Sequence, residues 1–154
     1  VALAGEWRPL GLAAAAAILA LNGWSMYLQA TQPIKADFRA AAAYVLPRWQ
    51  AGDALMYQIP YNRHTFAYYA SASHDPRDPF WQGVDGPYTN AGMSEAEADA
   101  WMATRLGGAQ TVWLVSSEAS MWDQRNLTGQ WFAAHAQEVD RAEFARVTVT
   151  RYSR

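Results

Sequence analysis

Residues 9–28 read PLGLAAAAAILALNGWSMYL, twenty positions without a charged side chain. At 1.5 Å of rise per helical residue, that length crosses a hydrocarbon core of about 30 Å. A chain with such a segment must place it in lipid or bury it in a core. Trp7 and Arg8 stand at one end, and Trp24 and Tyr27 near the other. Amphipathic aromatics at both ends are the pattern that anchors a helix at two headgroup layers. Asn22 and Gly23 shorten the strictly apolar run to residues 9–21, thirteen positions, which also suits a signal-peptide core or a buried soluble helix. The reading adopted is a transmembrane helix with its flanks over residues 1–29. Its many alanines favour close packing against other transmembrane helices.

Beyond residue 34 the character changes. Only Glu6 and Arg8 are charged before that point, so the 17% charged fraction averages an apolar segment with a domain of ordinary soluble composition. Residues 30–35 read as a linker and 36–154 as the folded domain. Eight Trp, eight Tyr and five Phe supply too much burial for intrinsic disorder. A net charge of -2 leaves no basic stripe for nucleic acid. The absence of cysteine excludes disulfide frameworks, thiolate zinc sites and cysteine nucleophiles. Because residue 1 is Val, the chain is expected to be processed or to be the C-terminal part of something longer. Lys35 is the single lysine among twelve basic residues, which with the many alanines points to a GC-rich bacterial genome.

Periodicity then orders the domain. Phe38, Ala41, Ala42, Val45 and Trp49 follow the 3.6-residue helical period, with Asp37 at the start and Pro47 ending or kinking the helix. After a Gly52-Asp53 turn, residues 54–59 form a short apolar run typical of a strand buried on both faces, closed by Pro60. A short helix is expected over 62–70, and no element over 71–93, a loop long enough to be functional or mobile. Ser94 and Glu97 form a capping box opening a helix to Leu106, and Gly107-Gly108 stops it. A second buried strand over 111–116, a helix over 123–136 and a half-exposed edge strand over 144–152 complete the pattern. Strands alternating with helices predict an α/β fold: a small three-layer domain with a mostly parallel sheet.

In open α/β sheets ligands bind beyond the carboxyl ends of the strands. Tyr61, Arg63 and His64 follow the first strand, and Ser116, Ser117 and Glu118 end the second, so these six are the candidate ligand-facing residues. His64, a serine and Glu118 contain the group types of a nucleophilic triad, but no Gly-x-Ser-x-Gly elbow is present, which favours serine as a strand-end cap. His74, Asp75, Asp78 and Asp85 lack calcium-loop spacing and read as turn-formers, so no metal site is assigned. No cofactor motif is found. Asn126-Leu127-Thr128 matches a glycosylation sequon inside an expected helix and is read as chance. Glu95, Glu97 and Asp99 read as a solvated first helical turn. Tyr57, Tyr61, Phe66, Tyr68, Tyr69, Trp81 and Trp113 supply either core packing or the aromatic faces that carbohydrate sites use.

The succession of residues 37–44 (DFRAAAAY), 50–55 (QAGDAL), Pro60-Tyr61-Asn62-Arg63 with Phe66 and Tyr68-Tyr69, and 111–116 (TVWLVS) resembles a known tail. It looks like the C-terminal extracytoplasmic domain of bacterial family 39 membrane glycosyltransferases, the protein O-mannosyltransferase-like group of the GT-C fold. The resemblance covers roughly residues 35–152. It implies that residues 9–28 are the last transmembrane helix and that the parent takes sugar from a polyprenyl-phosphate donor. The family's acidic general base lies in the first extracytoplasmic loop of the whole enzyme, a region with no counterpart in this chain, so no catalytic residue is assigned. The positive charges Lys35, Arg39 and Arg48 against Arg8 favour the domain inside the cell; the resemblance puts it outside the bacterial membrane, and the resemblance is followed. Two other readings are a single-span accessory subunit of a larger membrane complex and a membrane-anchored hydrolase.

Overall fold

In a computed structural model, which describes residues 8–31, 35–87 and 92–154, the apolar segment forms helix α1 (Arg8–Thr31). Its 24 residues make it about 36 Å long. It is long and apolar enough to cross a membrane. Leu12 is 73% and Leu19 72% exposed. The polar residues that interrupt the apolar run satisfy themselves within the helix. Asn22 Nδ2 donates to the Ile18 carbonyl at 2.9 Å, Thr31 Oγ1 to the Tyr27 carbonyl at 2.8 Å, and Gln29 Nε2 to Ser25 Oγ at 3.3 Å. Lipid requires such internal pairing, because no water is present to replace it. The helix continues through Thr31, past the expected boundary at 29; Trp7 and the linker residues 32–34 lie outside the described residues.

Residues 35–154 form a separate compact unit. Helix α2 (Phe38–Val45) starts where the Asp37 carboxylate accepts the Ala40 amide at 2.9 Å, and it buries Phe38, Ala41, Ala42 and Val45 as the period requires. Pro47 has no amide to donate, so the helix tightens into a 3₁₀ turn (Leu46–Arg48). Gly52, at φ 97°, makes the left-handed turn into strand β1 (Ala54–Tyr57). Helix α3 (Tyr61–Ala70) follows, then a two-residue strand β2 (Val84–Asp85) inside the stretch expected to hold no element. Helix α4 (Glu95–Leu106) carries the expected capping box and leads to strand β3 (Thr111–Ser116). A short helix α5 (Ala119–Trp122), helix α6 (Leu127–His135), and strands β4 (Gln137–Phe144) and β5 (Val147–Ser153) end the chain.

The five strands lie in the order β2-β1-β3-β5-β4. β1 runs parallel to β2 and β3, whereas β5 runs antiparallel to both β3 and β4. The sheet is therefore mixed, not mostly parallel. The difference arises in residues 137–153, where a single strand over 144–152 is expected and an antiparallel hairpin forms instead. β4 (QEVDRAEF) shows no clean apolar alternation because it is the edge strand, with a register shift between Glu138 and Asp140. Charge and irregularity at an edge discourage pairing with another chain. β5, expected at the edge, is paired on both sides; its alternating threonines face a polar cavity.

Successive residues of the central strands serve opposite faces. Leu55, Tyr57, Trp113 and Val115 pack with α2 and α3, while Met56, Val112 and Leu114 pack with α4 and α6. Helices thus cover both faces, which explains why β1 and β3 read as continuous apolar runs. From β1, the chain reaches β2 on one side through α3, then returns through α4 to β3 on the other side. This reversal makes the crevice beyond the carboxyl ends of β1 and β3 the topological switch point, where sheets of this kind hold ligands.

Candidate functional site

The switch point is occupied by the residues that follow the two strands. Tyr61 opens α3 just after Pro60, and its phenol donates to Glu118 Oε2 at 2.7 Å. Glu118 follows β3 in a left-handed conformation, φ 54°. Strain at a residue other than glycine costs about 1–3 kcal/mol and is often kept where it positions a functional group. Here it turns the carboxylate toward two donors, because Arg146 Nη2 also donates to Oε1 at 2.5 Å. Partial desolvation and then the bond to Glu118 push the Tyr61 phenol up to about 12, so it remains a neutral donor across the physiological range. A groove of about 410 Å³ opens between Glu118, Ser120, Met121 and Arg146. The Trp122 ring meets Tyr61 edge-on at 6.3 Å.

The remaining candidates are distributed around this cluster. Arg63 forms a half-buried ion pair with Asp85 at the end of β2, at 2.5 Å, and so ties the start of α3 to the short strand. His64 lies against Trp81, ring centroids 6.1 Å apart. Ser117 is buried, and Ser116 pairs with Thr148 across the sheet and lines a second hollow. The structure thus joins Tyr61 with Glu118 and Ser117 and leaves Arg63 and His64 with other partners. Among the described residues, no hydrogen bond connects His64 to Ser116, Ser117 or Glu118. As arranged, Glu118 is an ion-paired acceptor and can orient a ligand hydroxyl or amide; no nucleophile and base are paired beside it.

Arg146 is the site residue that the sequence reading missed. It sits in the turn between β4 and β5 at φ 56°, where Asn or Gly is the usual signal of a hairpin, and the chain there reads Phe144-Ala145-Arg146-Val147. Trp122 carries no local signal either, because it lies just before the helix expected from 123. No family model, curated protein or solved structure matches this chain.

The long loop uses its acidic residues for turns. Asp75 accepts the Arg77 amide and Asp78 the Phe80 amide, each at 2.9 Å, and the Arg77 guanidinium holds the Asp75 carboxyl below the usual carboxylate range. His74 stacks on Tyr68. Among the described residues, no group of three His, Asp or Glu is placed to hold a metal ion. Asn126 precedes α6 as its left-handed cap instead of lying within a helix, and Asp99 receives the Trp131 indole N–H at 2.8 Å instead of facing only solvent.

Proposed function

We propose that this chain is the membrane-anchored, extracytoplasmic C-terminal domain of a glycosyltransferase that takes sugar from a polyprenyl-phosphate donor, and that it is non-catalytic by itself. The observation that carries the reading is what the residues of the motif succession do in the fold. Asp37 caps α2, Asp53 receives the Trp113 indole, Arg63 holds Asp85, and Asn62, Phe66 and Trp113 are fully buried. The resemblance is therefore carried by residues that build a domain, with no acid–base pair among them. The exposed apolar α1 directly before that domain supports its place as a final span. In the parent enzyme such a domain covers the outer end of the sugar-transfer site and contributes to holding the acceptor.

A tag placed at the C-terminus of the native gene tests this. The tagged product should be an integral membrane protein far larger than the 17.1 kDa of this chain. Its sequence before Val1 should contain further spans and an acidic first outer loop. A 17.1 kDa product translated from a start codon immediately before Val1 would overturn the reading. Co-purification of that small product with multi-span partners would instead establish the accessory-subunit reading.

A further inference from the structure

On the face of the sheet covered by α4 and α6, a cavity of about 270 Å³ lies between the strand ends and the start of α6. Its walls carry Gln58, Ser116, Thr148 and Thr150 from the strand side, with Asn126 and Thr128 from the helix side. Every one of these is neutral and polar. The hydroxyls can each donate and accept, and the amides offer both functions. Gln58 is almost fully buried; its Nε2 donates to Asp123 at 3.4 Å, while its Oε1 has no partner. Buried carbonyl oxygens are rarely left unpaired, so this one is an unmet acceptor on a residue of the cavity wall.

Charge and size narrow the occupant. Arg141 is the charged residue at the wall, and its guanidinium is engaged by Glu143 through two hydrogen bonds of 3.1 and 2.8 Å. No net positive charge is left to attract an anion. Tyr152, stacked on Phe132 with centroids 4.2 Å apart, adds an aromatic surface to the polar lining. The volume falls just below the range of about 300–1,000 Å³ usual for drug-sized ligands, which limits the occupant to about one ring. Glycine at 129 leaves the space that the Asn126 amide occupies at the wall, since a Cβ there would collide with it.

We propose that this cavity binds a single neutral sugar ring through Gln58, Ser116, Thr148 and Thr150. The inference does not depend on the glycosyltransferase reading, since an anchored domain of any activity can hold such a ligand.

Titration of the full chain with monosaccharides, followed by amide chemical shifts, tests it. The chain is kept in micelles of a zwitterionic detergent, because alkyl glycosides would compete. The probes are glucose, mannose, galactose and arabinose, with glucuronate and inorganic phosphate as charged counterparts. At least one neutral sugar should give saturable shifts in β5 and at the start of α6. Ser116→Ala and Thr148→Val, both at half-buried positions where the fold is retained, should each weaken that binding by about fivefold, the value of one hydrogen bond. Thermal unfolding of each variant at an unchanged midpoint confirms that the loss is local. No saturable shift with any of the four sugars, shifts indifferent to both substitutions, or tighter binding of glucuronate or phosphate would each overturn the proposal.

Discussion

Asp53 does two things with one oxygen. Its Oδ2 accepts the Gln50 amide at 3.1 Å, closing the turn at Gly52, and accepts the Trp113 indole N–H at 2.8 Å. Trp113 is fully buried on a central strand, so without Asp53 its N–H would be a donor stranded in the core. Asp53→Ala should therefore destabilise the domain by about 1–3 kcal/mol, read as a lower urea midpoint. Asp53→Asn keeps an acceptor and should recover most of the loss; equal losses in the two variants would show that the indole bond contributes nothing. The sequence identified Asp53 as a turn residue from its neighbour Gly52. Its bond to a tryptophan sixty positions away was not legible, because nothing local encodes it. The same limit applies to the candidate site. Tyr61 and Glu118 were found because strand ends are where α/β sheets place ligands. Arg146 was not, because its turn takes a left-handed conformation with an arginine.

At the level of elements, local signals succeeded where they had a chemical cause. The α4 capping box is complete: Ser94 Oγ accepts the Glu97 amide at 3.2 Å, and Glu97 Oε2 accepts the Ser94 amide at 2.8 Å. These bonds, from the Ser94 amide first and its hydroxyl second, hold the Glu97 carboxyl below its ordinary range. A carboxyl depressed in the folded state stabilises above its unfolded pKa, and that contribution is lost as pH falls through the folded value. Ser94→Ala should cost about 1 kcal/mol at neutral pH. In acid, where Glu97 is protonated in both proteins, the difference should shrink; a penalty that stays constant with pH would mean that the glutamate plays no part in the cap. The α2, α3, β1 and β3 segments were legible for similar reasons, each having an apolar period and a definite stop. The β4–β5 hairpin was not. β4 is polar on an exposed edge, and the Thr148 and Thr150 alternation of β5 lines a polar pocket between the sheet and α6 instead of a bare edge. An alternating pattern reports which face is polar, not what lies beyond it.

For the whole molecule, the decisive question is whether α1 is a core helix or an anchor. Both hydrophobic clusters of the domain are built from residues at or beyond Ala36. The helix before them carries exposed leucines and pairs its polar groups internally, as lipid demands and water does not. If α1 is an anchor, the full chain expressed in bacteria stays with the membrane pellet after alkaline carbonate washing, and a chain of residues 35–154 alone is soluble. The shortened chain should unfold within about 4 °C of the full one, the shift that corresponds to roughly 1 kcal/mol in a domain of this size. A truncated domain that fails to fold, or melts far lower, would make α1 part of the core. A mature product found in the soluble fraction and beginning after Thr31 would make it a signal sequence. Either result removes the anchor on which the glycosyltransferase reading stands. Neither touches the cavity at Gln58, whose walls all come from residues beyond α1.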